Sequence, residues 1–130
     1  MVYVSVGLFG VIGALLRYFL GLSIHHIWHQ SFPLATLLAN LIGCFLLGWI
    51  TAYLSHLNKL YPYLMAGIGS GLIGSFTTFS TFSVETVKLI QASNWGTAIL
   101  YVLISFWGGL WAAWMGYVFL AKKQERGSNG

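Results

Sequence analysis

From residue 2 to residue 54 the chain carries one charged side chain, Arg17, and from residue 60 to residue 121 it carries two, Glu85 and Lys88. Soluble domains are normally about a quarter charged; this chain is 6% charged and 58% hydrophobic. Lipid is the solvent such runs suit. One crossing of the hydrocarbon core takes about 20 apolar residues. The 130 residues therefore hold four crossings joined by short connections, with no room for a soluble domain. The predicted fold class is an all-α membrane protein, a single four-helix transmembrane domain over residues 1–130.

The first span is predicted over about residues 2–22, the second over 33–54, the third over 61–91 and the fourth over 95–121. The opening MVYVSVGLFG has no basic n-region, and Arg17 interrupts the run where a signal peptide would be uniformly apolar, so it is read as a retained first span. The connections are SIHHIWHQS, SHLNKLYP and ASNWG. Pro33 suits a helix start, where its missing N–H costs nothing. Pro62 falls near the start of the third span, and Trp28 and Trp95 lie at span ends, as interfacial aromatics do.

Charge says more about insertion than about ligands. Lys59 and the tail KKQER fall on one side, Arg17 and Lys88 on the other, and without the tail the bias is close to nil. Since Lys/Arg asymmetry sets orientation, a balanced chain is expected to insert both ways up and to pair as an antiparallel homodimer. The tail reads as a solvated membrane-side anchor, with no nucleic acid as partner. Cys44 stands alone inside an apolar run and reads as a small core residue. His25, His26 and His29 have helical ligand spacing, but with no cysteine or carboxylate nearby they read as a wet interfacial connection. No Ser/His/Asp set, CxxC pair or phosphate loop is present, and no enzyme is expected.

The third segment is about ten residues too long for one straight span, and it contains Gly67, Gly69, Gly71 and Gly74 followed by GSFTTFSTFSVE, residues 74–85. Two readings stand. The glycines can mark a break near 74–77, which survives at membrane depth only where protein or a lined cavity satisfies the freed backbone. Alternatively, the Gly67-to-Gly71 spacing merely allows close helix packing. A break would present carbonyls from the end of one half-helix and N–H groups from the start of the next. Crossed near a two-fold axis, carbonyls from two copies could replace the hydration shell of a monovalent cation.

Beyond the break, Phe79 and Phe82 share a helix face, and ring edges are positive enough to favour an anion. Ser80, Thr81 and Ser83 could donate to an ion stripped of water, or could bond back to their own helix while the rings fill the core. Thr36, Asn40 and Gly43 align on the second span, and Tyr101, Ser105, Gly108 and Ala112 on the fourth, with Gly108, Ala112 and Gly116 as a row for close packing. A membrane-buried Asn needs a partner, whether helix or ligand. The first, second and fourth spans contain no carboxylate, so an anion route is the economical reading. Arg17 either snorkels as an anchor or draws anions to a vestibule. Glu85 is expected to pair or to cap.

The stretches GVIGALLRY (10–18), TLLANLIGCFLLG (36–48) and GSGLIGSFTTFSTFSVE (69–85) closely resemble the Fluc/CrcB fluoride channel family, and the likeness covers nearly the whole chain. The resemblance implies a dual-topology homodimer in the cell (inner) membrane, with two antiparallel pores that pass F− passively out of the cytoplasm. It also implies a structural, untransported Na+ between the subunits, held by carbonyls that map to Gly74 and Thr77. The ring pair maps to Phe79 and Phe82, the pore amide to Asn40, and the polar track to Ser80, Ser83 and Thr36. The fourth-span contacts map to Tyr101 and Ser105, and the matching charges are Arg17 and Glu85. Ser75 stands where many members have a second glycine, which leaves the course of the bend open. The alternative is a small proton-coupled multidrug exporter, which needs a membrane carboxylate, typically in its first span; that span has Arg17 instead. A non-transporting assembly subunit would account for the small-residue rows but not for Asn40 or the hydroxyl-rich third span.

Overall fold

The computed structural model describes residues 1–54 and 62–130. Lys59 and the connection at 55–61 therefore lie outside the described residues. The rest is helical: α1 (Val2–Ile27), α2 (Leu34–Leu54), α3 (Pro62–Ala66), a wide π-helical segment (Gly67–Ile73), α4 (Gly74–Phe76), α5 (Phe79–Gln91) and α6 (Trp95–Ser128). Three of these helices, α1, α2 and α6, are long and apolar enough to cross a membrane unbroken. The fourth crossing is made of two pieces, residues 62–76 and α5.

Most large apolar side chains point outward, as expected where lipid is the solvent; Phe19 is 59% exposed and Trp107 64%. What holds the helices together is close approach at small residues, since burying apolar surface gives little gain against lipid tails. Between α2 and α6 the approach is reciprocal. A Cβ at Gly48 would strike the Ala113 carbonyl, and one at Gly116 would strike the Phe45 carbonyl. The expected row Gly108, Ala112, Gly116 contacts α2 at both glycines, and Gly109 joins it. Gly109 and Gly116 are buried, while Gly108 faces the Leu41 side chain.

On the other side, α1 packs on the first half of the third span. Gly13 lies under the Leu72 carbonyl, Gly67 under Ser5 and Phe9, and Gly71 under Val6. Ser5 Oγ adds a 2.7 Å hydrogen bond to the Tyr63 carbonyl. The glycine spacing thus serves packing, and the same chain segment is also broken. The interruption falls at Thr77 (φ −84°, ψ 159°) and Thr78 (φ −153°, ψ 121°), at the downstream edge of the expected window, while Gly74 remains helical (φ −61°, ψ −36°). Glycine was the sequence signal, but two β-branched threonines adopt the extended backbone, for which branched residues are suited.

Helix limits differ from the spans in two places. Helix α1 continues through His25 and His26 to Ile27, and α6 continues through the charged tail to Ser128. At 34 residues, α6 is about 51 Å long, well beyond the hydrocarbon core, so its last turns stand in water. Pro33 sits just ahead of α2, its carbonyl accepting from the Leu37 N–H at 3.2 Å.

Candidate anion pathway

The break frees backbone groups that no lipid could satisfy, and Asn40 on α2 takes them up. Its Oδ1 accepts from the Thr78 N–H at 2.8 Å, and its Nδ2 donates to the Thr78 carbonyl at 3.1 Å. The carboxamide thus pairs with one residue of extended chain as a neighbouring β-strand would. Helix α2 can come this close because of Gly43, where a Cβ would collide with Thr77 Cγ2. Thr78 also caps α5, its hydroxyl accepting from the Thr81 N–H at 3.2 Å, the usual means of satisfying a helix's first donors. On the upstream side, Arg17 Nη1 reaches the Thr77 carbonyl at a long 3.5 Å.

Beside this joint lies a cavity of about 440 Å³ lined by Asn40, Thr78, Phe79, Phe82 and Ser105 among apolar neighbours, none of them charged. Among the described residues, Ser105 Oγ is buried here with no partner. A buried hydroxyl without a partner is costly, and it is a donor available to whatever occupies the cavity. Phe79 and Phe82 lie with ring centroids 5.8 Å apart and planes tilted by 37°. Phe82 continues to Tyr101 at 5.0 Å, and Tyr101 to Phe32 at 5.6 Å. The rings therefore form a ladder from the exposed Phe79, 80% accessible, to the fully buried Tyr101.

A second polar cluster lies at the other end of that ladder. Glu85 accepts from Thr36 Oγ1 at one carboxylate oxygen and from Tyr101 Oη at the other, both at 2.9 Å. The acid is held by two hydroxyls from two other helices. A further cavity, about 450 Å³, joins Arg17, Tyr18 and His25 of α1 to Thr36, Thr78 and Thr81. Thr78 lines both large cavities.

The expected residues thus fall into three groups: Asn40, Phe79, Phe82 and Ser105 around the first cavity; Thr36, Glu85 and Tyr101 in the carboxylate network; Arg17 in the vestibule-like second cavity. Ser80 and Ser83 line neither large cavity. Ser83 Oγ donates to the Phe79 carbonyl at 2.9 Å, while Ser80 Oγ lies 3.3 Å from Thr78 Oγ1. Thr77 carries the break, and Gly74 lies three residues ahead of it. Thr81 was expected as a donor beside Ser80 and Ser83, whereas Thr78 was not singled out beforehand as a pathway residue. The Thr78-to-Thr81 spacing, a hydroxyl three residues ahead of an N–H at a helix start, was the available signal.

Comparison with known proteins identifies the family. Residues 4–117 match the family model described as CrcB-like protein, Camphor Resistance (CrcB). A Bacillus cereus protein named Fluoride-specific ion channel FluC 1 is 56% identical over 126 residues, covering 95% of this chain and 92% of its own. Fluoride-specific ion channel FluC 2 of Geobacillus kaustophilus is 42% identical over 127 residues, covering 98% of each chain. The Listeria monocytogenes serovar 1/2a protein of the same name is 43% identical over 129 residues, covering 99% of this chain and 98% of its own. A family match over most of the chain, with relatives aligned nearly end to end, places the molecule: it belongs to the Fluc/CrcB family of multi-pass membrane proteins.

Proposed function

We propose that the protein is a passive, fluoride-selective channel of the cell membrane that lets F− leave the cytoplasm. The observation that carries this reading is the uncharged cavity beside the break, where a carboxamide, hydroxyls and a pair of phenyl rings converge and Ser105 Oγ has no protein partner. Fluoride is small, strongly hydrated and a strong hydrogen-bond acceptor. Replacing its water takes several donors, and neutral ones release the ion again, as conduction requires. Asn40 keeps its backbone bracket with one N–H of its amide and has a second to offer. Ser105, the ring edges of Phe79 and Phe82, and the Tyr101 and Thr36 hydroxyls continue the track toward Glu85. Ser80 and Ser83 line the outward face of α5 and join the track when a second copy covers it.

That second copy is part of the reading. Phe79 and the polar face of α5 are open in one chain, and the balanced Lys/Arg distribution favours insertion in both orientations, which gives an antiparallel homodimer with two pores. The oxygens freed at the break suit the structural Na+ that the family implies. In a continuous helix the Thr78 N–H would reach the Gly74 carbonyl; here it is turned to Asn40 Oδ1, so that carbonyl has lost its helical donor. Among the described residues, the Thr77 carbonyl receives only the long Arg17 contact and has a second lone pair. Gly74 and Thr77 would hold the ion with their equivalents from the partner, and its role there is to neutralise converging carbonyl dipoles. It is not transported.

The proton-coupled exporter is not favoured, because the one membrane carboxylate with a role, Glu85, is occupied on both oxygens by hydroxyls from the same chain. The deciding measurement is efflux from proteoliposomes loaded with fluoride or with chloride. Rapid fluoride release with chloride retained is expected, and Phe79→Ile and Phe82→Ile should each sharply reduce the fluoride signal. Equal release of both anions, or none, would overturn the function; unchanged flux and selectivity in both variants would overturn the role of the rings.

A further inference from the structure

The carboxylate of Glu85 poses a problem for any anion route that passes it. Negative charge at the end of a narrow polar track repels an approaching anion, and in a poorly hydrated place that repulsion is strong. The track needs a local positive charge that the Thr36 and Tyr101 hydroxyls do not supply.

The structure shows where one is. Glu85 has a second side, facing away from the ring ladder, and there it lines a cavity of about 240 Å³ together with Ser31, Pro33, Lys88, Leu89, Ala92 and Asn94. The cavity sits where the start of α2, the end of α5 and the α5–α6 turn meet, so it opens at the membrane surface on the side where α1 ends. Lys88 lies three residues after Glu85, on the same face of α5. It is exposed, in the last turn of its helix. The Glu85 oxygens are already taken by Thr36 and Tyr101.

We infer that this cavity is an anion port and that Lys88 is its collecting charge, a flux-determining residue at the mouth rather than along the track. The inference rests on the channel reading above. Lys88 raises the local concentration of small anions, as a charged concavity does, and it offsets the Glu85 charge without pairing with it. The side chains of Ser31 and Asn94 provide neutral donors beside it. The ammonium is long and mobile, so an anion gathered there is released onward rather than trapped. A lysine serving only to anchor the end of α5 in the headgroups would give the same stability but no dependence of flux on screening.

The test is fluoride efflux from vesicles of zwitterionic lipid containing wild type, Lys88→Arg, Lys88→Gln or Lys88→Glu. Efflux is measured at about 0.01 M and at about 1 M ionic strength, where the screening length falls from roughly 30 Å to 3 Å. Expected at low ionic strength is a fall of about two- to threefold for Lys88→Gln, a larger fall for Lys88→Glu and wild-type flux for Lys88→Arg. At high ionic strength all four should converge, which also shows that the variants are folded. Equal flux for all four at low ionic strength overturns the inference. So does a loss in Lys88→Gln that is the same at both ionic strengths, because that would be a structural defect. A wild-type protein that carries no fluoride overturns the functional reading itself, and this inference with it.

Discussion

The two halves of the third span are built by opposite means. Residues 62–76 are fixed against α1 by glycines: Gly67 and Gly71 from the span and Gly13 from α1 each lie so close to the facing chain that a Cβ has no room. Helix α5 buries only Leu89, leaves Phe79 80% exposed and is held by caps at its ends and by the Glu85 bonds to Thr36 and Tyr101 in its middle. The first half spends its small residues on contact, where little but backbone could fit. The second half keeps rings and hydroxyls open to a cavity or to a second chain. The interruption at Thr77 and Thr78 separates the closely packed half from the open one, as the proposed ion path would need.

The contrast breaks most severely at Gly13. Any side chain there would have to displace the Leu72 carbonyl, and backbone in the π-helical segment has no rotamer to change. Overpacking of this kind costs about 3 kcal/mol or more. Gly13→Leu should give no monodisperse species in size-exclusion chromatography of detergent-extracted protein, whereas Ser80→Ala, on the open half, should elute as wild type does. A well-folded Gly13→Leu would show that the weld to α1 is dispensable.

Asn40 is where the two halves are tied. Asn40→Ala leaves the N–H and C=O of Thr78 without partners at membrane depth, at about 1–3 kcal/mol each. The expected result is a clearly lower thermal midpoint in detergent together with loss of fluoride flux. Asn40→Asp keeps the acceptor for the Thr78 N–H but loses the donor and adds a negative charge, so it should retain more stability than the alanine variant and still conduct poorly. Wild-type stability in Asn40→Ala would mean that water, rather than Asn40, satisfies the break.

A smaller effect is expected in the carboxylate network. Tyr101→Phe removes one of two hydroxyls from Glu85 while keeping the ring against Phe82 and Phe32. A hydrogen bond to a charged group is worth about 1.5–3 kcal/mol, partly recovered because Thr36 still donates. Thr36→Val should match it in size, and the double variant should lose more than the sum, since it leaves the acid with neither donor. An additive double variant would mean that the two hydroxyls act independently.

How far these features could be read from the sequence depends on whether they are local. Four crossings, the interrupted third one and the aromatic pair follow from runs and spacings within about ten residues. The α2–α6 stripe was legible as small residues, but its partners were not: Gly116 meets the Phe45 carbonyl, Gly108 the Leu41 side chain and Gly109 the Cys44 thiol, and composition does not say which atoms face a small residue. The Asn40–Thr78 bracket joins residues 38 positions apart, and the Glu85–Thr36 bond 49. Both pair ordinary polar groups without a motif. Asn40 signalled that it needed a partner, though not which one. Ser83 had two uses open to it, and in the single chain its hydroxyl bonds the helix carbonyl one turn away.

The mildest test concerns the far end of α5. The helix stops in a Schellman arrangement, with the Asn94 N–H bonded to the Leu89 carbonyl and the Ser93 N–H to the Ile90 carbonyl. This requires φ of +61° at Ser93, a non-glycine residue with positive φ, and a Cβ in that conformation costs about 1 kcal/mol. Ser93→Gly removes the strain but loosens the unfolded chain by about 0.4–1 kcal/mol, so a net gain of up to about 0.5 kcal/mol is expected as a slightly higher thermal midpoint. If the loosely held half is secured at its caps, strengthening this one should raise the midpoint without altering the fit of residues 62–76 against α1. A lower midpoint would mean that the Ser93 hydroxyl, rather than the turn geometry, holds the end of α5 in place.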